Sequence, residues 1–438
     1  MTGTRIDIKK LKVDNPKVYA DLLAPQNTRL FPYYAGYSAS FATNLLQSMK
    51  LGKGALVLDP WNGSGTTTSA AVQLGCSVVG QDLNPVMVLV AKAALLPRSE
   101  VSSLVPLAKS ILSSIQPEVE SGLHEEPLEK WLSRRSAKFF RAIETNINQV
   151  LVSHQKYLQL TSNLSLGGTS PLAAFFYLSL FAVARRLLLS FIPSNPTWVK
   201  TPALASNRLK PADETIRELF IEEITSLALR KEHCMWEPEI DHRATILLGS
   251  SEKLSLSNAS VDAVITSPPY CTRIDYAVAT SIELAVLRLS VSEFTTIRRS
   301  LMGASTVSAE MPSIDASWGE TCVQFMERLY EHPSKASKTY YFKNHLQYFC
   351  ALNQSLNELS RVLSPSGVCV LVVQDSYYKE LKNDIAGIAV DMAKNAGISI
   401  RLRNDFSSNR SMASINKKAR EYLEKRITTE SVLCFSRT

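Results

Sequence analysis

The chain has 438 residues, of which 45% are hydrophobic and 20% charged, as is ordinary for a globular protein with a sizeable core. No run reaches the about 18 apolar residues of a membrane span, and the N-terminus lacks the apolar stretch of a signal peptide. A cytoplasmic protein with no membrane partner is therefore expected. The net charge of +8 is compatible with a polyanionic partner. Seven cysteines, an odd number with no C-x-x-C spacing, favour neither a disulfide framework nor a metal site.

Strands and helices alternate in the first hundred residues. Apolar runs and turn signals predict strands at 55–58 and 77–80, and helices at 67–74 and 85–94. This alternation is typical of a doubly wound α/β sheet.

Long helical patterns then dominate residues 98–243 and predict a largely helical insertion. The α/β pattern resumes with strands at 244–248 and 261–265. Residues 288–340 are polar and irregular, and predict a second, smaller insertion. A helix at 344–363 and a turn at Ser364–Gly367 follow; the remaining predicted elements are strands at 368–373, 398–402 and 431–435 and a helix at 383–395.

A glycine-rich turn follows the first strand, in the string from Asp59 to Thr67 (DPWNGSGTT). Its glycines let the backbone approach a ligand closely, and the next helix presents free N–H groups. Asp82 ends the second strand, and its carboxylate can accept two hydroxyl hydrogen bonds from a sugar. A plain strand–helix turn is the alternative, but the length of the string favours a nucleotide-like ligand.

A second string, Ser267-Pro268-Pro269-Tyr270, follows the strand at 261–265. The prolines lack N–H donors, so the Ser267 hydroxyl and the Pro268 carbonyl remain as acceptors for an amine. Tyr270 offers an aromatic face for a base. Such a string is common in loops, but its place at a strand end downstream of the glycine turn favours a functional role.

These strings resemble the two core motifs of the DNA amino-methyltransferases, D-P-F-x-G-S-G-T-T and [D/N/S]-P-P-[Y/F/W], with Trp61 in place of phenylalanine. The resemblance implies a Rossmann-like methyltransferase sheet and S-adenosylmethionine as cofactor. It also implies direct methyl transfer to an exocyclic amino group in DNA. The serine form of the second motif favours cytosine N4 over adenine N6. Methylation at cytosine C5 needs a cysteine after proline, whereas Cys271 follows Tyr270 and is interpreted as a packing residue.

The resemblance also assigns roles to individual residues. Catalysis is assigned to Ser267, Pro268, Pro269 and Tyr270. Cofactor contacts are assigned to Asp59, Pro60, Trp61, Gly63, Gly65, Thr66, Thr67, Asp82, Leu83, Asn84, Ser250 and Tyr34. Ser250 stands where relatives often have aspartate, and Tyr34 lies with Gly36 and Ser38 in a stretch that resembles motif X. Substrate contacts are predicted at Arg273, Asp275, Tyr276, Asp375, Tyr377 and Arg410, although an Arg–Asp pair of structural value explains Arg273 and Asp275 equally well.

The predicted organisation has three parts. Residues 1–97 hold the N-terminal segment and the first half of the cofactor-binding domain, 98–243 the helical insertion, and 244–438 the second half, with the insertion at 288–340. Either insertion is a candidate for target recognition. DNA and a cognate restriction or defence protein are the expected partners. An RNA amino-methyltransferase and a non-catalytic nucleic-acid-binding protein remain as alternatives.

Overall fold

The strands and their order define the architecture. The computed structural model describes residues 6–17, 30–32, 36–115, 125–152, 160–193, 195, 198–233, 243–271, 274–304, 306, 311–408 and 428–438. Its strands are β1 (Leu56–Asp59), β2 (Ser77–Asp82), β3 (Ala244–Leu248), β4 (Val261–Thr266), β5 (Leu363–Gln374), β6 (Ser376–Tyr378), β7 (Leu381–Asn383), β8 (Ile398–Ser408) and β9 (Thr428–Arg437).

Seven of these strands form one sheet in the order β3-β2-β1-β4-β5-β9-β8, while β6 and β7 form a separate hairpin. All neighbours in the sheet are parallel except β9, which runs antiparallel to β5 and β8. The strand order reverses between β1 and β4, which pair directly through Val57 and Ala263. The crevice at such a reversal, at the carboxyl ends of the strands, is where doubly wound sheets bind ligands. The predicted α/β fold class is confirmed.

Helices cover both faces of the sheet. They are α1 (Ala39–Met49), α2 (Thr66–Gln73), α3 (Pro85–Ala94), α4 (Val101–Ser113), α5 (Arg134–Leu151), α6 (Asn163–Gly167), α7 (Pro171–Leu187), α8 (Asp213–His233), α9 (Tyr276–Ala279), α10 (Ser281–Val286), α11 (Val291–Ser300), α12 (Glu320–Glu331), α13 (Phe342–Val362) and α14 (Ile385–Asn395). None of these helices is both long and apolar enough to cross a membrane.

The two-residue period of the strands explains why both faces are covered. Val57 and Ala263 pack into the core with α1 and α2. Their chain neighbours Leu58 and Val264 point to the opposite face and pack with α12, α13 and α14. Because both faces are buried, the strands are continuous apolar runs, as is typical of parallel sheets.

The described part of the region 98–243 is largely helical, and its packing shows how these helices join the sheet. Helices α4, α5, α7 and α8 share one apolar core with α3. The buried Lys92 of α3 donates to the carbonyls of Gly167 (3.3 Å) and Thr169 (3.0 Å). Lys231 of α8 donates to the carbonyl of Ala94 at 2.6 Å. The helical region is thus built directly onto the cofactor-binding half of the fold.

The prediction of irregular structure at 288–340 is wrong. Helix α11 begins with a capping box formed by Ser290 and Glu293. Helix α12 buries Cys322, Phe325, Met326 and Leu329, which recur at helical spacing. The polar residues between these positions face solvent and hide the period in the sequence.

The carboxyl end of the sheet also differs in detail from the prediction. Strand β5 begins at Leu363, and the predicted turn at Ser364–Gly367 is a bulge between the pairs Leu363–Val261 and Val368–Ala263. Strand β8 extends to Ser408, well beyond the predicted end at 402. The β6–β7 hairpin is too short to give a sequence signal.

Candidate active site

One cavity lies at the carboxyl edge of the sheet, where β1, β2 and β4 end. Its wall includes the glycine turn at Gly63, the side chain of Asp82 and the tetrapeptide Ser267–Tyr270. The empty space is about 1240 Å³, including the mouth that opens to solvent. The two motifs, about two hundred residues apart in sequence, therefore meet at a shared site.

Most of the residues assigned to the cofactor line this cavity: Asp59, Pro60, Trp61, Gly63, Thr66, Asp82, Leu83 and Asn84. Gly65, Thr67 and Ser250 do not. Gly65 is the N-cap of α2 at a φ of 82°, a left-handed conformation that favours glycine. Thr67 donates to the Ile265 carbonyl at 3.0 Å, and the Ser250 hydroxyl accepts the Glu252 N–H at 3.2 Å. Tyr34 lies outside the described residues.

The carboxylate of Asp82 is held by backbone N–H groups from the glycine turn after β1 and from the loop after β2. It accepts the N–H of Gly63 at 2.9 Å and the N–H of Asn84 at 2.8 Å. Burial raises the pKa of Asp82 to about 6, although these two bonds act in the opposite direction. Each oxygen keeps a second lone pair, so the carboxylate can still accept hydroxyl hydrogen bonds from a ligand.

Asp59 joins the two motifs. Its Oδ1 accepts the Trp61 N–H at 3.2 Å and the hydroxyl of Thr266, the residue before the tetrapeptide Ser267–Tyr270, at 2.5 Å. Burial raises the pKa of Asp59 to about 6. The cavity therefore has two carboxylates on one wall, which favours a ligand with positive charge.

The tetrapeptide Ser267–Tyr270 is held in place through its backbone. The Pro269 carbonyl accepts the hydroxyl of Tyr348 at 2.9 Å, and the Tyr270 N–H donates to the hydroxyl of Tyr276 at 3.3 Å. No described residue donates a hydrogen bond to the Ser267 hydroxyl or the Pro268 carbonyl. Both of these residues line the cavity.

A glycine supports the tetrapeptide from behind. Gly303 has a φ of 78°, and a Cβ at this position would lie 2.7 Å from the carbonyl oxygen of Tyr270. We expect Gly303→Ala to lower the free energy of unfolding by about 1–2 kcal/mol because of the left-handed backbone, and to displace Tyr270. Denaturant unfolding measures the first effect. Gly52→Ala is the matched control, since no atom would lie within 4 Å of its Cβ; equal effects of the two changes would contradict the prediction.

The residues predicted to contact substrate are divided. Tyr276 lines the cavity. Asp275 does not: it accepts the Val278 N–H at 3.1 Å as the N-cap of α9 and pairs with Arg298 at 2.7 Å. Asp275 therefore has a structural ion pair with Arg298, whereas the predicted pair with Arg273 cannot be placed among the described residues. Arg273 lies outside the described residues.

Asp375 and Tyr377 also lie away from the cavity wall. Asp375 is buried after β5 and pairs with Lys382 of β7 at 2.8 Å, and Tyr377 belongs to the β6–β7 hairpin. Arg410 falls outside the described residues. The sequence did not predict this hairpin, which includes Tyr377 and whose Lys382 pairs with Asp375.

Several residues that were not assigned from the sequence also line the cavity, and three of them are Tyr37, Glu252 and Arg185. Tyr37 donates to the Ile265 carbonyl at 3.2 Å. Glu252, two residues after the assigned Ser250, brings an acidic group whose pKa is raised by burial. Arg185 of α7 donates to the Ala279 carbonyl at 2.7 Å and binds the buried Glu283. Tyr37 lies in the stretch that resembles motif X and Glu252 lies two residues after Ser250, whereas Arg185 is marked only as a charge inside an apolar helix.

The comparisons with known proteins agree with this geometry. Residues 261–438 match the family model described as DNA methylase, of the N6/N4 type. The chain is 23% identical over 292 residues to the Type II methyltransferase M.BsoBI of Geobacillus stearothermophilus. This alignment covers 62% of the present chain and 55% of the relative. The chain thus spans about half the length of this curated relative.

A solved TehB-like SAM-dependent methyltransferase from Corynebacterium glutamicum is similar over 91% of this chain and 87% of its own, with 8% identity and a TM-score of 0.28. At that TM-score the fold assignment depends on the strand order described above and not on this likeness. The family match and the curated relative agree with the resemblance found in the sequence, since residues 261–438 match the DNA methylase family model.

Proposed function

We propose that the chain transfers a methyl group from S-adenosylmethionine to the exocyclic amino group of a base in DNA, with cytosine N4 as the favoured target. The observation that supports this most directly is the cavity shared by the glycine turn and Ser267–Tyr270. In-line transfer requires the methyl donor and the amine to be held side by side. The family match makes S-adenosylmethionine the methyl donor.

The residues present fit this cofactor. Asp82 keeps free lone pairs for ribose hydroxyls, and the turn at Gly63 allows close approach of a ligand to the backbone. The carboxylates of Asp59 and Asp82 favour a cationic ligand over a neutral one. S-adenosylmethionine, when bound, supplies its methyl group as part of a sulfonium cation.

The tetrapeptide suits the acceptor side of the reaction. The Ser267 hydroxyl and the Pro268 carbonyl accept the two hydrogens of an exocyclic amine and thereby direct its lone pair toward the methyl group. Tyr270 stacks on a base that has been extruded from the duplex. After methyl transfer the nitrogen carries one proton too many. Because both acceptors are neutral, this proton passes to solvent.

The serine of the tetrapeptide supports cytosine N4 over adenine N6. The name of the relative, a Type II methyltransferase, supports a cognate restriction or defence protein as a partner. Target recognition belongs to the helical region at 98–243, to the segment at 288–340, or to both. The second candidate exposes basic and aromatic side chains together, with Lys338 above the ring of Tyr330 at 4.9 Å.

The test is methyl transfer from labelled cofactor to duplex DNA and, in parallel, to total tRNA, followed by chromatography of the nucleosides. We expect label in N4-methylcytosine, with N6-methyladenine as the second candidate. A Tyr270→Ala variant purified in the same way controls for contaminating enzymes. Label only in RNA, or only at C5 of cytosine, would overturn the proposal. A non-catalytic scaffold would bind DNA without binding the cofactor, which calorimetry detects.

Cofactor affinity is expected to depend on pH through the two carboxylates, whose pKa values are raised to about 6 from 3.8. Affinity should be constant above about pH 7 and fall as the pH drops through about 6, by up to about tenfold per unit for each proton taken up. The stability of the ligand-free protein changes in the opposite direction. The contribution of these groups is complete below about pH 4 and is lost as the pH rises through about 6.

Calorimetric titration of the cofactor between about pH 5 and about pH 8 checks this dependence. An affinity that does not change across the range would show that neither carboxylate binds the cofactor in its ionised form.

A further inference from the structure

We infer that Lys17 is a positioning residue for the base pocket: it fixes the phenol of Tyr270 and connects it to the segment that precedes α1. The inference rests on the proposed function, because it assigns Tyr270 to the substrate base. Lys17 belongs to neither of the core motifs and lies 253 residues from Tyr270 in sequence.

The ammonium group of Lys17 makes two short hydrogen bonds in the site. It donates to the hydroxyl of Tyr270 at 2.7 Å and to the carbonyl of Gly36 at 2.7 Å. Gly36 and Tyr270 both line the cavity. One side chain therefore ties the catalytic tetrapeptide to the stretch that resembles motif X.

A buried carboxylate anchors Lys17 to the sheet. Glu430, the third residue of β9, lies 3.5 Å from the ammonium group of Lys17, and its side chain is 3% exposed. The side chain of Lys17 is 27% exposed, far less than that of Lys12 at 61%. The buried carboxylate of Glu430 would be left uncompensated without Lys17. The ammonium group is therefore held by Glu430 as well as by Tyr270.

The consequence for the reaction is preorganisation. A hydrogen bond from an anchored cation fixes the position of the phenol oxygen, so the Tyr270 side chain cannot swing about χ1 away from the place where a base stacks. Hydrogen bonds to a charged group are about twice as strong as those between neutral groups. Because Gly36 accepts a hydrogen bond from the same ammonium group, a displacement of the motif X stretch also shifts the phenol of Tyr270.

The test compares Lys17→Met, which removes the charge and keeps the length, with Lys17→Arg, which keeps donors. Steady-state kinetics separate kcat from KM for DNA, and calorimetry gives the affinity for the cofactor. We expect Lys17→Met to lower kcat about tenfold or more, with KM and cofactor affinity changed by less than about threefold, and Lys17→Arg to recover most of the loss. Lys12→Met, the same change at an exposed lysine, should leave kcat at the wild-type value.

Tyr270→Phe removes the other half of the hydrogen bond. If Lys17 acts through the phenol, Tyr270→Phe and Lys17→Met cause similar losses, and the double variant is no worse than either single one. Losses that multiply in the double variant, or a Lys17→Met enzyme with wild-type kcat, would overturn the inference.

The wild-type enzyme separates this inference from the proposed function. Absence of methyl transfer by the wild type defeats the function, whereas transfer by Lys17→Met at the wild-type kcat defeats only the role of Lys17. A crystal structure of Lys17→Met gives a readout that does not depend on activity. We expect Tyr270 in an altered or multiple orientation, and a ring that is unchanged and singly oriented would contradict the inference.

Discussion

Replacing Tyr270 with alanine is expected to lower kcat/KM for DNA by about 10- to 100-fold while leaving cofactor affinity close to that of the wild type. Stacking of a base on an aromatic side chain contributes about 1–3 kcal/mol, and this contribution is lost with the ring. The backbone of residue 270 stays in place, because its N–H is bound by Tyr276 and the Pro269 carbonyl by Tyr348. Steady-state kinetics and calorimetry of the cofactor measure the two parts of the prediction.

Two controls sharpen this result. Tyr270→Phe keeps the ring and should retain more activity than the alanine variant. Tyr377→Ala removes a tyrosine from the β6–β7 hairpin, which lies outside the cavity wall, and should leave kcat/KM near the wild-type value. An alanine variant at position 270 with full activity would show that the base does not stack on this ring.

Asp82→Asn is expected to weaken cofactor binding by about 10- to 100-fold, which corresponds to the loss of one hydrogen bond to a charged group. An asparagine has a single acceptor oxygen, yet the carboxylate accepts N–H groups from both Gly63 and Asn84. The change therefore leaves one backbone donor unbound and removes an acceptor for the ligand. Calorimetry of the cofactor checks the prediction.

Asp262→Asn is the matched control. Asp262 also accepts a backbone N–H, that of Leu56 at 2.9 Å, but it lies near the amino end of β4, away from the cavity. We expect this variant to lose some stability and to keep its cofactor affinity. If both variants bind the cofactor with wild-type affinity, Asp82 has no role in the site.

The two motifs that line the cavity could be located from the sequence because each is a short continuous stretch of residues. The turn from Asp59 to Thr67 and the tetrapeptide Ser267–Tyr270 each follow a strand that is readable from its apolar run. Parallel strands then bring their carboxyl ends to one edge of the sheet. The shared cavity follows from the order of strands, without knowledge of any side-chain contact.

The residues that support the site could not be predicted in the same way. Tyr348 comes from α13 and Lys17 from the N-terminal segment, and their contacts with the tetrapeptide span 79 and 253 residues of sequence. Asp275 and Asp375 lie outside the cavity wall for a different reason. Asp275 follows the tetrapeptide closely and Asp375 follows β5, but helix capping and ion pairing with Arg298 and Lys382 use their carboxylates.

The secondary structure of 288–340 shows a third limit. The apolar residues of α12 keep a helical period, but the polar residues around them are so frequent that the segment resembles a loop. Packing against α13 and α14 stabilises α12, and this contribution cannot be predicted from the local sequence.

The most direct test of the account is the structure of the protein bound to a cofactor analogue and to DNA. We expect the analogue to contact Asp82 and the turn at Gly63, and the extruded base to lie on Tyr270 with its amine bound by Ser267 and the Pro268 carbonyl. A complex in which cofactor and base occupy separate cavities, or in which the base stays stacked in the duplex with the analogue bound, would contradict it.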